Sequence, residues 1–395
     1  MIRLEEARAR VLALVTPMPQ EIIPLVEAQG RVLAMPVLAA WPQPAQDLSA
    51  MDGYAVLSDD LANTPTDLVL MGESAAGHGF DGALRPGHAI RVSTGAEVPA
   101  GADQIVIQEN TKREADILTV MDEPRPGAHI RRTGQDFITD EVLGQPGLRL
   151  RGESLALLAA GGTDALPVAR RPRIGVMASG DELVALGEWP GPGQIVNSVT
   201  PGLMGLIKSW GGQAVDLGIA RDAPQSVADK LEKAKTQALD LVITIGGASV
   251  GDHDHLRQVF QDRGGSLSFE KIAVKPGKPT WFGQLGEQLF LGLPGNPVSA
   301  LVVARLLLKP AIERMLGQDT ALVLAKAKTT QALPANGPRE MFLRAEHVEG
   351  DQIRPFGKQD SSVVSALAKS TCLIRRDINA PPVETGGEIE ILRLD

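Results

Sequence analysis

The chain has 395 residues, enough for two to four domains at roughly 150 residues each, and its 43% apolar and 22% charged residues place it among folded globular proteins rather than disordered ones. A formal net charge of −9 repels phosphate backbones and anionic lipid surfaces, which argues against a nucleic-acid or membrane-surface binder. A single cysteine, Cys372, rules out an internal disulfide and any multi-thiolate metal site, and a reducing cytoplasm fits best.

In chain order, Leu4, Ala7, Val11 and Leu14 recur at helical spacing, and mixed helix is expected to continue to about Leu38 as an N-terminal helical layer. From residue 45 to 139 the pattern changes to short β-rich runs, at residues 67–71, 89–92 and 104–107, separated by Gly and Pro, which reads as an inserted β domain. Residues 140–171 return to helix around Ser154 to Ala160 and complete the first unit, 1–44. Arg170-Arg171-Pro172 then marks a boundary.

Residues 172–318 alternate buried-type strands with helices. Strands are expected at 174–177, 215–219, 241–245 and 289–293, and helices near 203–210, 226–238 and 298–308. That rhythm predicts a three-layer α/β domain around a parallel sheet. Residues 319–395 are strand-like with one short helix after Ser361-Ser362, which predicts a C-terminal, barrel-like β domain. No run approaches the roughly 20 apolar residues needed to span a bilayer.

Open α/β sheets bind ligands beyond the carboxyl ends of their strands, and this sequence loads those ends. After 174–177 come Gly180, Asp181 and Glu182; after 215–219 comes Asp222. After 241–245 comes the loop from Gly246 to Asp254, and after 289–293 come Pro294, Gly295, Asn296 and Pro297. Gly246, Gly247 and Gly251 allow backbone N–H groups to approach an anion, and Ser249 adds a hydroxyl donor. The loop is neither a P-loop nor a dinucleotide fingerprint.

Carboxylates Glu182, Asp222 and Asp254 stand at successive strand ends, where they are expected to converge on a hard cation such as Mg²⁺ beside phosphate oxygens. Lys271, Lys275 and Lys278 fall within eight residues, anchored by Ile272, Ala273 and Val274 and stiffened by Pro276 and Pro279. Cations facing acids suit a multiply anionic substrate. The turn-rich segments around Asp52, Thr94 and Asp136 read, from the residues alone, as turns.

Six motifs together resemble the bacterial molybdopterin molybdenumtransferase (MoeA) family, related to the C-terminal domain of gephyrin. They are residues 51–56, 94–96, 180–183, the loop 246–254, Lys275 to Pro279, and Leu293 to Ala300. The resemblance runs from the N-terminal helix to the last strand. It implies a four-domain homodimer in which the α/β domain of one subunit faces the β domain of the other.

It also implies the substrates molybdate and adenylylated molybdopterin, with Mg²⁺ and release of AMP. The family's functional positions fall on Asp52, Thr94, Asp136, Glu182, Asp222, Asp254, Lys271 and Lys275. On this reading the partners are molybdopterin adenylyltransferase and molybdoenzyme maturation factors, with no nucleic acid and no membrane. Two alternatives are molybdopterin adenylylation by a similar α/β domain and a non-catalytic, gephyrin-like scaffold. The chain departs from the family pattern at Leu48, Ser179, Ile245 and Val199.

Overall fold

The computed structural model describes residues 1–122, 125–247 and 255–394. Its centre is a six-stranded sheet in the spatial order Gln213–Ala220, Arg173–Ser179, Leu241–Ile245, Gln288–Leu293, Trp281–Leu285, Ser266–Phe269. The first four strands are parallel. The last two pairings are antiparallel, with Trp281–Leu285 reversed between Gln288–Leu293 and Ser266–Phe269, so the sheet is mixed rather than wholly parallel. Gly286, at φ +61°, and Glu287 are the only residues between the paired strands Trp281–Leu285 and Gln288–Leu293. A connection that short joins only antiparallel neighbours.

Alternation along the strands sends side chains to two separate cores. Ile174, Val176 and Ala178 face one way, against Leu203 and Ile207 of helix Val199–Ser209 and Val298 and Val302 of helix Pro297–Val303. Met177, Val242 and Phe290 face the other way, against Val227 and Leu231 of helix Pro224–Thr236 and Leu256 and Phe260 of helix His255–Asp262. Phe260 packs tilted against Trp281 and edge-on against Phe290, with ring centroids 5.0 and 5.3 Å apart. Both faces are thus covered, which gives the three layers.

The N-terminal helix is Leu4–Leu14, with Leu4, Ala7 and Val11 buried on the α/β core and Leu14 exposed. Helix does not continue to Leu38. Gln20–Pro24 is instead a strand paired antiparallel with Ala165–Ala169, and Val37–Leu38 pairs with Val142–Gly144. Pro17, Pro19 and Pro24 account for the change, since proline in a helix interior removes a hydrogen bond and clashes with the preceding turn. The second helix of this region is Gly152–Ala160.

The inserted β domain is a six-stranded sheet, Gln104–Ile107, Gly53–Val56, His88–Val92, Thr66–Ser74, Ile117–Val120, Thr111–Glu114. The C-terminal domain is a closed ring of five strands: Glu340–His347, Gln352–Pro355, Ala325–Thr329, Glu388–Arg393, Cys372–Arg376 and back to Glu340–His347. Closure leaves no free edge within the ring. Val274–Lys275 pairs parallel with Glu340 and Met341, which stitches the lysine-bearing segment to this barrel.

Among the described residues, no helix is long and apolar enough to cross a membrane.

Candidate active site

A cleft of about 790 Å³ opens where the parallel strands end. Its floor is made by four successive strand ends. Ser179, Gly180 and Glu182 follow Arg173–Ser179, Asp222 follows Gln213–Ala220, Gly246 and Gly247 follow Leu241–Ile245, and Pro294 to Pro297 follow Gln288–Leu293. The placement obeys the rule that parallel strands deliver their next residues to one edge of the sheet.

Close backbone approach shapes the floor. Gly246 has φ +84°, and a Cβ there would stand 2.6 Å from the carbonyl oxygen of Ser179. Its N–H donates to the Leu293 carbonyl at 3.1 Å. Gly295 lies against the same residue, with its own ideal Cβ position 3.6 Å from the Gly246 Cα. Glycine at 246 is therefore required both by conformation and by space.

The two described acids of the cleft are held differently. Asp222, half-buried, accepts from the Ser179 hydroxyl at 3.4 Å on Oδ1 and from the Asp181 N–H at 3.2 Å on Oδ2. Glu182 is exposed and folds back over Gly180, whose ideal Cβ would lie 2.4 Å from Glu182 Oε2. Both carboxylates are hard oxygen donors, and the long contacts of Asp222 leave lone pairs available. Among the described residues no three His, Cys, Asp or Glu side chains form a group that could hold a metal ion by themselves.

Of the remaining expected residues, Ser249, Gly251 and Asp254 lie outside the described residues. Pro279 lines the cleft, whereas Lys271, Lys275 and Lys278 do not. Lys275 and Lys278 are exposed and Lys271 is half-buried, its carbonyl accepting from the Ile2 N–H at 3.0 Å. Asp52, Thr94 and Asp136 are exposed on the β domain, outside the cleft of their own chain. Thr94 nonetheless binds Asp52 through both its N–H and its hydroxyl.

The cleft has walls that the motifs did not announce. One is the short ribbon of Leu183–Val184 paired with Ile195–Val196, continued by Asn197, Ser198 and Val199. The Asn197 side-chain oxygen accepts from the N–H and hydroxyl of Thr200, at 3.4 and 3.0 Å, at the start of helix Val199–Ser209. The other wall comes from the C-terminal domain, as Ser362 and Val364.

The Ser361 carbonyl accepts from the Val298 N–H at 3.1 Å, which joins that domain to the helix following the Pro294 to Pro297 turn. Ser362 donates its hydroxyl and N–H to Asp360 Oδ1 at 2.6 and 2.8 Å. These bonds hold the Asp360 carboxyl below the usual carboxylate range. The Ser361-Ser362 pair ahead of a helix was the only sequence signal for this wall. Of the four positions where the chain departs from the family pattern, Ser179, Val199 and Ile245 line the cleft, and Leu48 pairs with Arg131 in the β domain.

Comparison with known proteins accounts for nearly the whole chain. Residues 2–162 match the MoeA N-terminal region (domain I and II), 175–314 a probable molybdopterin binding domain, and 326–394 the MoeA C-terminal region (domain IV). The molybdopterin molybdenumtransferase of Haemophilus influenzae is 36% identical, with 99% of this chain and 98% of that protein aligned. That of a Nostoc species is 33% identical over 95% of this chain and 88% of its own length. The molybdopterin biosynthesis MoeA protein of Pyrococcus horikoshii OT3 superimposes with a TM-score of 0.87 at 28% identity, covering 100% of both chains. With the three regions in order and the relatives matched along almost their whole length, the chain belongs to the molybdopterin molybdenumtransferase (MoeA) family.

Proposed function

We propose that this chain inserts molybdenum into molybdopterin in molybdenum cofactor biosynthesis, taking molybdate and the adenylylated pterin and releasing AMP. The pterin's two dithiol sulfurs bond to molybdenum, and one molybdate oxygen leaves as water with the two dithiol protons. A second water opens the phosphoanhydride, leaving one phosphate on the pterin and the other on the departing AMP. The observation that carries this reading is the convergence of Glu182, Asp222, Gly246, Gly247 and Pro294 to Pro297 in one cleft at the strand ends. Small residues there leave room for a bulky anion to approach the backbone, and phosphoryl chemistry of this kind rests mainly on positioning and charge neutralisation.

Glu182 and Asp222 suit Mg²⁺, which keeps several waters and takes one or two carboxylates together with substrate phosphate oxygens. Asp254, outside the described residues, is the expected third acid. When bound, the cation offsets phosphate charge. The chain's own residues orient the pterin and hold the phosphates against the Gly246 turn, with Ser249 and Gly251 as expected donors. Lys271 and Lys275 are the expected positive charges for molybdate and Lys278 an expected substrate contact, although none of the three is in the lining of the cleft.

The same reading makes the working unit a homodimer in which the partner's β domain brings its copies of Asp52, Thr94 and Asp136 to the cleft. What supports it is that these three residues are exposed and lie away from the cleft of their own chain. A cytoplasmic location, with molybdopterin adenylyltransferase upstream and molybdoenzyme maturation factors downstream, goes with it.

The test is AMP release from adenylylated molybdopterin with Mg²⁺, measured with and without molybdate, in wild type and Asp254→Ala. Release that needs molybdate and disappears in the variant is expected. Turnover of ATP in the absence of molybdate would point instead to pterin adenylylation. Tight binding without hydrolysis under any oxyanion would overturn the catalytic reading. Light scattering reads the assembly, and a mass near one subunit would sink the shared site.

A further inference from the structure

We infer that Asp181 and Arg221, neither of which lines the cleft, are positioning residues that hold Asp222 and Glu182 in place, an inference that rests on the proposed reading of the cleft. The two loops that carry these acids follow adjacent parallel strands, Arg173–Ser179 and Gln213–Ala220. They are laced together at three levels.

At the base, the Gly180 N–H donates to the Ala220 carbonyl at 3.1 Å. Above it, Asp181 and Asp222 exchange bonds. The Asp181 N–H donates to Asp222 Oδ2 at 3.2 Å, and the Asp222 N–H donates to Asp181 Oδ1 at 3.1 Å. The carboxylate of Asp222 is thereby turned by a neighbour whose own carboxylate fixes the Asp222 backbone.

Arg221 makes the third link. Its Nη1 donates to the carbonyls of Asp181 at 3.3 Å and Leu183 at 3.1 Å, the residues on either side of Glu182. Its N–H donates to the Ser226 hydroxyl at 2.9 Å, on helix Pro224–Thr236. One guanidinium thus brackets the backbone of Glu182 from an anchored position. Acids held this way keep their orientation without the substrate having to order them.

The test compares variants of the full chain in molybdate-dependent AMP release. Asp181→Asn keeps an Oδ1 acceptor for the Asp222 N–H, whereas Asp181→Ala removes it. Arg221→Met removes both carbonyl contacts, and Arg221→Lys keeps a charge. Asp181→Ala and Arg221→Met are expected to lower kcat about tenfold, with KM for the adenylylated pterin moved by no more than about twofold. Asp181→Asn should restore most of the rate at an unchanged melting temperature. If Asp181→Ala folds poorly, Arg221→Met carries the kcat-against-KM comparison, and Arg221→Lys, which keeps an N–H donor for the two carbonyls, should recover part of the rate.

Equal loss in Asp181→Asn and Asp181→Ala would overturn the inference, because charge rather than the backbone bond would then matter. A rise in KM at constant kcat would overturn it too, since that marks direct substrate contact. Asp222→Ala run in parallel separates the two levels. If Asp222→Ala is inactive and the Asp181 and Arg221 variants are wild-type, the positioning role falls and the cleft assignment stands. If Asp222→Ala is fully active, both fall.

Discussion

Thr94 gives two hydrogen bonds to one oxygen of Asp52: its N–H reaches Oδ1 at 2.6 Å and its hydroxyl reaches the same atom at 3.0 Å. The backbone bond first and the hydroxyl second, assisted by Arg91 and opposed by slight desolvation, hold the Asp52 carboxyl below its ordinary value of 3.8. In Thr94→Val the hydroxyl bond is lost and the N–H bond remains. The Asp52 pKa should therefore rise part of the way back, and Thr94→Ser should leave it unmoved, as read by carbon NMR of the carboxyl group. Because the folded value is depressed, any stability this contact gives is present above the ordinary value and is lost as pH falls through the lower one. Asp52 stays ionised at pH 7 in both variants. A rate loss in Thr94→Val at that pH then reports orientation, not charge.

Asp222→Ala should lower molybdate-dependent AMP release by about a hundredfold, the scale on which misplaced or missing charge at a phosphoryl site is felt. Its melting temperature should scarcely change. The side chain is half-buried, its contact with the Ser179 hydroxyl is long at 3.4 Å, and the exposed Asp181 N–H that it accepts from at 3.2 Å can bond to water once the carboxylate is gone. A variant that melts early in proportion to its lost rate would mean that Asp222 serves folding rather than the reaction.

Gly246→Ala forces an L side chain into φ +84° and a Cβ to within 2.6 Å of the Ser179 carbonyl oxygen. Strain of this kind costs about 1–3 kcal/mol. Urea unfolding should show that loss, and binding of the adenylylated pterin should weaken because the turn must move to relieve the contact. Gly187→Ala offers the control. It also has positive φ, at +87°, but nothing lies within 4 Å of its ideal Cβ and it does not line the cleft. It should lose some stability and keep its ligand affinity.

Cys372 sits in the barrel core at 2% exposure, and burial first, against small opposing contributions from Thr371 and Arg393, pushes its thiol up from 9.0 to about 11. A thiol reagent at pH 8 should react slowly with the folded chain and promptly once denaturant is added. The sign for stability follows from the raised value. The unfolded chain ionises this thiol first, so its contribution is intact below pH 9 and is lost between pH 9 and about 11. Cys372→Ala should shift the alkaline limb of the stability curve accordingly.

The residues themselves revealed much of the α/β unit. Strands such as Leu241–Ile245 are apolar runs broken only by the buried Thr244, and the following Gly, Asp and Pro-Gly-Asn-Pro turns are local signals that survive in any context. Residues 20–24 were harder, since Gln20-Glu21-Ile22-Ile23-Pro24 has little periodicity and becomes a strand through pairing with Ala165–Ala169, far away in the chain. The hairpin of Trp281–Leu285 with Gln288–Leu293 is hidden in the sequence for the opposite reason. Its apolar run fits a strand of either direction, and Gly286 alone marks the reversal.

The site divides along the same line. The sequence by itself determined which chemistry is on offer, because acids, glycines and lysines at strand ends are fixed by local spacing. It also determined that four strand ends would share one edge, because parallel strands connected by helices always return to the same side. Only the tertiary structure decided that Ser362 and Val364 of the barrel close one wall, that Asp181 and Asp222 exchange hydrogen bonds, and that Lys275 is stitched to Met341 rather than lining the cleft. Those contacts join residues distant along the chain. Their geometry is set by how the cores of separate domains pack, which no short window of sequence contains.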